Sequence, residues 1–350
     1  MSSRSAILCA LTATLAAAPG YSQSPAPGQA VVFVDRDLHE PFGVDFDAAG
    51  RMYVVEMAGN RVSVLDADGA QRVLAGTGEA GLLGDGGPAS AARFNGPHHL
   101  AMGPDGALYV ADTGNFCVRR IDLRTGLVTR VAGTGQKGFS GDGGPAVEAQ
   151  FGGIYSIAFR RTMLYVCDLD NRRIRAVDLA TGTVTTVAGT GAKGVPKDGE
   201  DARLEPLVDP RAVAVDSRGN LYICERGGHA LRVVDTHGRI RTVAGTGEPG
   251  FSGDDGPALE ARLSGPKHIS VDAKDEVLIA DTENHAIRRY SPGDGRIRRV
   301  VGTGKKGAAG LGGPPTACEL DRPHGALARP GTGAIYVSDS ENHRVIRVDP

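Results

Sequence analysis

Short apolar runs alternate with polar turns along most of this chain. One stretch reads Val213-Ala-Val-Asp216, Ser217-Arg-Gly-Asn220, Leu221-Tyr-Ile-Cys224, then Ala230-Leu-Arg-Val-Val-Asp235 and Ile240-Arg-Thr-Val243. Apolar runs this short, bounded by Gly, Asp, Asn and Ser, predict β-strands joined by tight turns. A long loop follows the fourth run, from Ala244-Gly-Thr-Gly247 to Gly250-Phe-Ser-Gly-Asp-Asp-Gly-Pro257. The one hint of helical spacing is a turn at Ala258-Leu-Glu-Ala-Arg262.

The whole series recurs. Aligned on a short motif, the units begin at Pro41-Phe-Gly-Val, Pro97-His-His-Leu, Ile154-Tyr-Ser-Ile, Pro210-Arg-Ala-Val, Pro266-Lys-His-Ile and Pro323-His-Gly-Ala, at intervals of 56 or 57 residues. A repeat of that length with four antiparallel strands predicts an all-β fold, a six-bladed β-propeller over residues 30–350. Its blades start near 41, 97, 154, 210, 266 and 323. The sixth unit stops at Asp349-Pro350, after its third strand, and Ala30-Val-Val-Phe-Val34 is an orphan strand ahead of the first motif. Pairing that strand, 30–34, with the last blade would close the ring and remove the open sheet edge.

Composition adds three constraints. Glycine is plentiful at 51 residues, and it falls in the recurrent turns. Net charge is −2, which gives no general attraction to nucleic acid or anionic lipid. Residues 1–20 combine Arg4, an apolar stretch Ala6 to Ala18 and the break Pro19-Gly20-Tyr21. This is the build of a Sec-type signal peptide cut after Gly20, too short to span a bilayer, with 21–29 as a short linker. Export to the periplasm or beyond is expected, with no transmembrane segment. Cys117, Cys167, Cys224 and Cys318 form no CxxC pair, and Cys167 and Cys224 share a repeat column with Ala111, Ala280 and Ser338. Packed free thiols are preferred there over a disulfide.

The turns between second and third strands, Leu278-Ile-Ala-Asp-Thr-Glu-Asn-His-Ala-Ile-Arg288 and Ile335-Tyr-Val-Ser-Asp-Ser-Glu-Asn-His-Arg-Val-Ile-Arg347, resemble NHL repeats over about residues 30–350. The resemblance implies a propeller but little about activity, because NHL propellers include binding modules, sensor domains and a lyase.

The repeat separates blade-building residues from site residues. Acids at Glu56, Asp112, Asp168, Glu225, Asp281 and Asp339 fill one column and are expected to accept backbone N–H groups of their own turns. His229, His285 and His343 share another column and read as structural. Arg119, Arg175, Arg232, Arg288 and Arg347 read as a solvated or paired face. The Ala-Gly-Thr-Gly loops look like phosphate-cradling glycines, but a phosphate loop needs a helix N-terminus behind it. Their recurrence from blade to blade predicts turn geometry instead. Asp85, Asp142 and Asp254 are expected to form Asp-Gly turns rather than a calcium loop.

What departs from the pattern lies just after the motif proline. The first position reads Phe42, His98, Tyr155, Arg211, Lys267 and His324, and the second includes His99 and His268. These residues begin the innermost strands, beside a central channel on the face where the long loops gather. A channel mouth lined by His98, His99, Tyr155, Arg211, Lys267, His268 and His324 is a candidate small-molecule or anion site. The peptidyl-hydroxyglycine amidating lyase is a similar propeller with Pro-His at alternate blades, whose three histidines hold zinc. That likeness implies a divalent metal on His98 and His324, with His99 or His268 assisting. Blade four, however, carries Arg211, which cannot ligate and repels a cation. Two functions follow. One is an exported binding module for a small molecule or an envelope or extracellular protein. The other is a metal-assisted lyase or hydrolase using Tyr155, Arg211 or His99 as catalytic candidates. Nucleic-acid binding has no aromatic platform behind it, and a closed ring without a free edge is expected to be a monomer.

Overall fold

The computed structural model describes residues 27–66 and 70–350. The expected signal peptide lies outside the described residues. Six antiparallel sheets are arranged as blades, and the first strands of successive blades touch in a closed circuit that includes blade six against blade one. Blade two, for example, is built from His99–Met102, Leu108–Asp112, Cys117–Ile121 and Val128–Ala132, in sequence order from the axis outward. Blade five adds a short fifth strand, Gly256–Pro257, against its outer strand Arg296–Val301.

Blade six has only three strands from its own repeat, and Ala30–Val34 pairs antiparallel with Arg344–Val348 as its fourth. A second link crosses the same junction, where the N–H of Glu40 donates to Nδ1 of His343 at 3.2 Å. Apolar residues of neighbouring blades interdigitate between the sheets. Phe42, Tyr53, Val62, Phe94, Leu100, Leu108 and Ile121 form one such layer between blades one and two. Both faces of a blade are therefore covered, which explains why the second strands of every blade but the third are buried at every position.

The acid column is structural, but its partners differ from the expectation. Asp112 accepts the N–H of Asn95 at 2.8 Å, and Asp168, Asp281 and Asp339 accept from Gly152, Ser264 and Asp321 in the same way. Those donors sit in the long loop before the blade, not in the acid's own turn. Each acid thus pins the end of the loop that delivers the innermost strand.

Of the two alternatives for the arginine column, solvated or paired, the structure shows the paired one. Arg119, Arg175 and Arg288 are in addition fully buried. Arg119 donates to the carbonyls of Arg93 and Leu83 at 2.7 and 2.8 Å and pairs with Asp85 at 2.9 Å. Arg175 and Arg288 repeat the arrangement with Asp142 and Asp254, so these loop aspartates are ion-pair partners in addition to turn residues. Arg347 does not belong to the column and pairs with Asp349 instead. Ile346 occupies its place, and Arg344, two residues earlier, supplies the guanidinium to Asp339 at 2.7 Å. Arg61 and Ser63 show the same exchange in blade one.

The histidine column closes turns between blades. Asn60, Phe116, Arg172, His229, His285 and His343 all adopt left-handed backbone with φ between 45° and 53°. From there the Nδ1 atoms of His229 and His285 accept the N–H groups of Gly265 and Arg322 in the following blade. The glycines of the Ala-Gly-Thr-Gly loops meet a different demand. A Cβ on Gly133 would lie 2.3 Å from the Phe116 carbonyl oxygen. They permit loop-to-turn approach, and the described residues form no α-helix behind them, only single 3-10 turns whose first carbonyls accept N–H groups of these glycines, as Ala146 does from Gly133. Cys117, Cys167, Cys224 and Cys318 are buried and free.

Replacing Arg119 by Leu strands the Asp112 carboxylate and two loop carbonyls. Urea denaturation is expected to show a loss of about 3–5 kcal/mol. The half-exposed pair of Arg120 with Asp105 is the control, and Arg120→Leu should cost under about 1 kcal/mol.

Candidate functional site

The first residues of the six inner strands form a nearly continuous ring of side chains. Phe42 stacks on His324 with ring centroids 4.1 Å apart and meets the edge of His98 at 4.9 Å. His98 in turn packs on Tyr155 at 4.6 Å, and the guanidinium carbon of Arg211 lies 3.7 Å from the Tyr155 ring centre. On the other side, Lys267 Nζ donates to His324 Nε2 at 3.3 Å and pairs with Glu283 at 3.0 Å. The ring's two permanent cations, Arg211 and Lys267, therefore sit in neighbouring blades.

Their partners are unequal. Lys267 is neutralised by Glu283, which also receives Arg322 at 2.8 Å. Arg211 is 5% exposed, its Nε is buried without a partner, and it makes no hydrogen bond or ion pair among the described residues. Its neighbour Asp209 is taken by Arg226. A buried guanidinium supported only by an aromatic face is costly unless an acceptor arrives. Burial holds its pKa down to about 10, still charged at neutral pH.

The histidines are neutral. Burial, reinforced by Arg211, holds His98 down to about 3 and His99 to about 4, and His268 and His324 well below the ordinary imidazole value. His98 Nδ1–H donates to the Gly96 carbonyl at 2.7 Å, which leaves its Nε2 lone pair available. His324 is the reverse case. Its Nε2 accepts from Lys267, so the proton sits on Nδ1, on the side of the Arg322 backbone. The mouth thus offers an unfilled donor on Arg211 and one unfilled acceptor on His98.

The second residues of the strands lie one layer deeper. His99 and His268 come from opposite blades and meet across the axis, Nε2 to Nε2 at 2.9 Å. Both Nδ1 atoms lie 3.4 Å from backbone N–H groups, those of Ile157 and Ala326, but one Nε2 must donate to the other, so only one of the two neutral rings has an Nδ1 lone pair to accept with. Gly43 and Gly325 make room for this layer, since a Cβ would stand 3.0 Å from the His99 ring and 2.3 Å from the Phe42 carbonyl oxygen respectively.

Every residue expected at the mouth is in the two layers, but the metal reading does not fit the arrangement. The Phe42 ring lies against both His98 and His324, and an ammonium caps the Nε2 of His324. No cluster of three or more His, Cys, Asp or Glu suited to a metal occurs among the described residues. Glu283 joins the mouth without a sequence signal of its own. It occupies the Thr-Glu-Asn turn, where nothing marks it apart from a solvated acid such as Glu341 of the next blade.

Residues 94–121 match the family model for the NHL repeat. The chain is 26% identical over 290 residues to NHL repeat-containing protein 2 of Gallus gallus, covering 74% of this chain and 40% of that protein. It therefore spans well under half the length of that relative. Among solved structures, an auxiliary nutrient binding protein from Bacteroides ovatus superposes with a TM-score of 0.64 at 18% identity, covering 91% of this chain and 72% of that one. Virginiamycin B lyase from Staphylococcus aureus gives 0.51 at 15% identity, over 89% of this chain and 81% of that one. At these identities the superpositions speak for the fold alone.

The deep histidine pair makes a pH prediction. Unfolded, each imidazole titrates near about 6.5, whereas in the fold burial holds His99 down to about 4 and His268 well below the ordinary imidazole value. The stability they retain as neutral groups is whole above about pH 6.5 and is lost as pH falls toward 4. Urea titrations of the wild type and a His99→Gln/His268→Gln variant should diverge over that window. The wild type should lose on the order of 3 kcal/mol more than the variant between about pH 7 and pH 4.

Proposed function

We propose that this chain, an NHL-repeat six-bladed β-propeller, is a ligand-binding module whose channel mouth receives the anionic end of a small molecule. The observation that carries the reading is Arg211, a buried and charged guanidinium with an aromatic support and no acceptor. Arginine in this state suits a carboxylate or phosphate oxygen, because its planar fork gives two parallel charge-assisted hydrogen bonds. Tyr155 lies against the guanidinium and supports it in place. The neutral imidazoles contribute surface without competing charge.

A binding role is also what the printed name of the Bacteroides ovatus neighbour describes for that protein. Export belongs to the same proposal. Residues 1–20 would direct the chain outward, 21–29 would link, and 30–350 would form the binding unit in the periplasm or beyond, as a monomer. No helix among the described residues is long and apolar enough to cross a membrane.

A panel of small carboxylates and phosphate esters, screened by thermal shift and measured by titration calorimetry, tests the reading. At least one should bind, and Arg211→Gln should weaken it by about 10–100-fold, the worth of a charge-assisted hydrogen bond. Arg160→Gln, on the opposite face, should leave affinity unchanged. A wild type indifferent to the whole panel, or an Arg211→Gln variant that binds as well, overturns it.

A further inference from the structure

The ring has six blades but only five long loops. Residues 76–96, 133–153, 189–209, 245–265 and 302–322 each connect one blade to the next, whereas blade six reaches blade one through residues 35–40 alone. The long loops do more than connect. Each lays an extended segment along the outer edge of the blade it enters and caps it with main-chain hydrogen bonds. Gly86 N–H donates to Val128 C=O at 2.7 Å and Val128 N–H to Gly87 C=O at 3.0 Å. The same exchange joins Gly143 and Gly144 to Val184, Gly199 and Glu200 to Ile240, and Gly312 and Gly313 to Ala30, while in blade five Gly256 and Pro257 pair as a short strand.

Among the described residues, blade one has no such segment. Its outer strand, Gln71–Ala75, opposes Arg61–Leu65 with Gln71 facing Leu65, as Val128 faces Ile121 in blade two. The next pair outward is hydrogen-bonded in both blades, Asp66 N–H to Ala70 C=O and Asp122 N–H to Leu127 C=O. Antiparallel pairs alternate, so the N–H and C=O of Gln71 face out of the sheet, as those of Val128 do. Among the described residues neither group meets a partner. The edge borders a cleft lined by Asp37, His39, Arg61, Ser63, Arg72 and Val73, with Val73 45% exposed.

We infer that this edge is a docking site for an extended segment of a partner polypeptide, of the acid-Gly-Gly-Pro kind that occupies the equivalent edges of blades two and three. The five occupied blades supply the template for the occupant. At this edge Gly86, Gly143, Gly199 and Gly312 take left-handed backbone with φ of 83–88°, and in blades two, three and five an aspartate of the same loop reaches an arginine. In blade one, Arg61 and Arg72 line the corresponding place. The segment adds as one more antiparallel strand, with main-chain bonds providing attachment and the arginines favouring the acid. This site lies at the ring's periphery and is independent of the channel mouth.

The probe is a synthetic peptide of this chain's residues 138–150, added to the full-length isotopically labelled protein and followed by amide NMR shifts. Saturable shifts at Gln71 and its strand neighbours are expected in the high-micromolar to millimolar range, with the amides of Val128, Val184 and Ile240 unmoved. A peptide carrying Gly143→Pro lacks the donor for the Gln71 carbonyl and should bind at least tenfold more weakly, and Asp142→Lys should also weaken it. A protein carrying Gln71→Pro, with an unchanged melting temperature, should lose the response. Absence of shifts at Gln71, equal binding of the Gly143→Pro peptide, or concentration-dependent pairing of the protein with itself through this edge overturns the inference.

Discussion

A carboxylate ends the second strand of every blade, and the fold is organised around what that group accepts. It takes a backbone N–H from the loop that precedes the blade, at 2.8 Å for Asp112 and Asn95, and a side-chain donor from its own turn, such as Asn115. An arginine beneath it reaches the same loop's carbonyls. Buried ion pairs are weak sources of net stability, because desolvation offsets their attraction. Their value here is positional. A long glycine-rich loop has many conformations, and a charged group that is costly to leave unpaired selects the one that starts the innermost strand in register. Channel geometry is thus set at the loop's far end.

The repeat length and the four-strand pattern are enough to read the propeller, since period and alternation are properties of the chain itself. Internal comparison also assigns His229, His285 and His343 to turns, where left-handed backbone and a cross-blade N–H account for them. The arginines stay ambiguous in sequence for a physical reason. A charged residue at an alternating strand position has the same sequence signature whether its face meets water or a packed loop. Arg344 is recognisable as the stand-in for the column arginine, whose place Ile346 takes, only through its contact with Asp339. The mouth is legible as a set of residues but not as an arrangement. His98 and His324 suggest convergence on one ion, yet the phenyl ring of Phe42 shares their space.

The electrostatics of the mouth follow from the order of residues around the ring. Burial is the main cause that depresses His98, His99 and His268, and the charge of Arg211 adds to it in all three. Low dielectric makes that charge felt over several side chains and makes it expensive to leave without a counterion. The same surroundings keep the imidazoles neutral, so the mouth's charge is nearly constant across ordinary pH. A site built this way selects for ligand charge more than for ambient acidity.

The contact of His99 with His268 across the axis gives the channel a floor. A solute arriving at the loop face meets a cul-de-sac, entering and leaving by one opening, and the opposite face receives no traffic from it. The space is shallow, because one strand residue, a rise of ~3.3 Å, separates the ring that begins at His98 from the layer that holds His99. Only a terminal group can be accommodated there. The rest of any occupant must lie across the loops, where glycine turns leave the surface low and the side chains that vary from blade to blade decide what can rest on it.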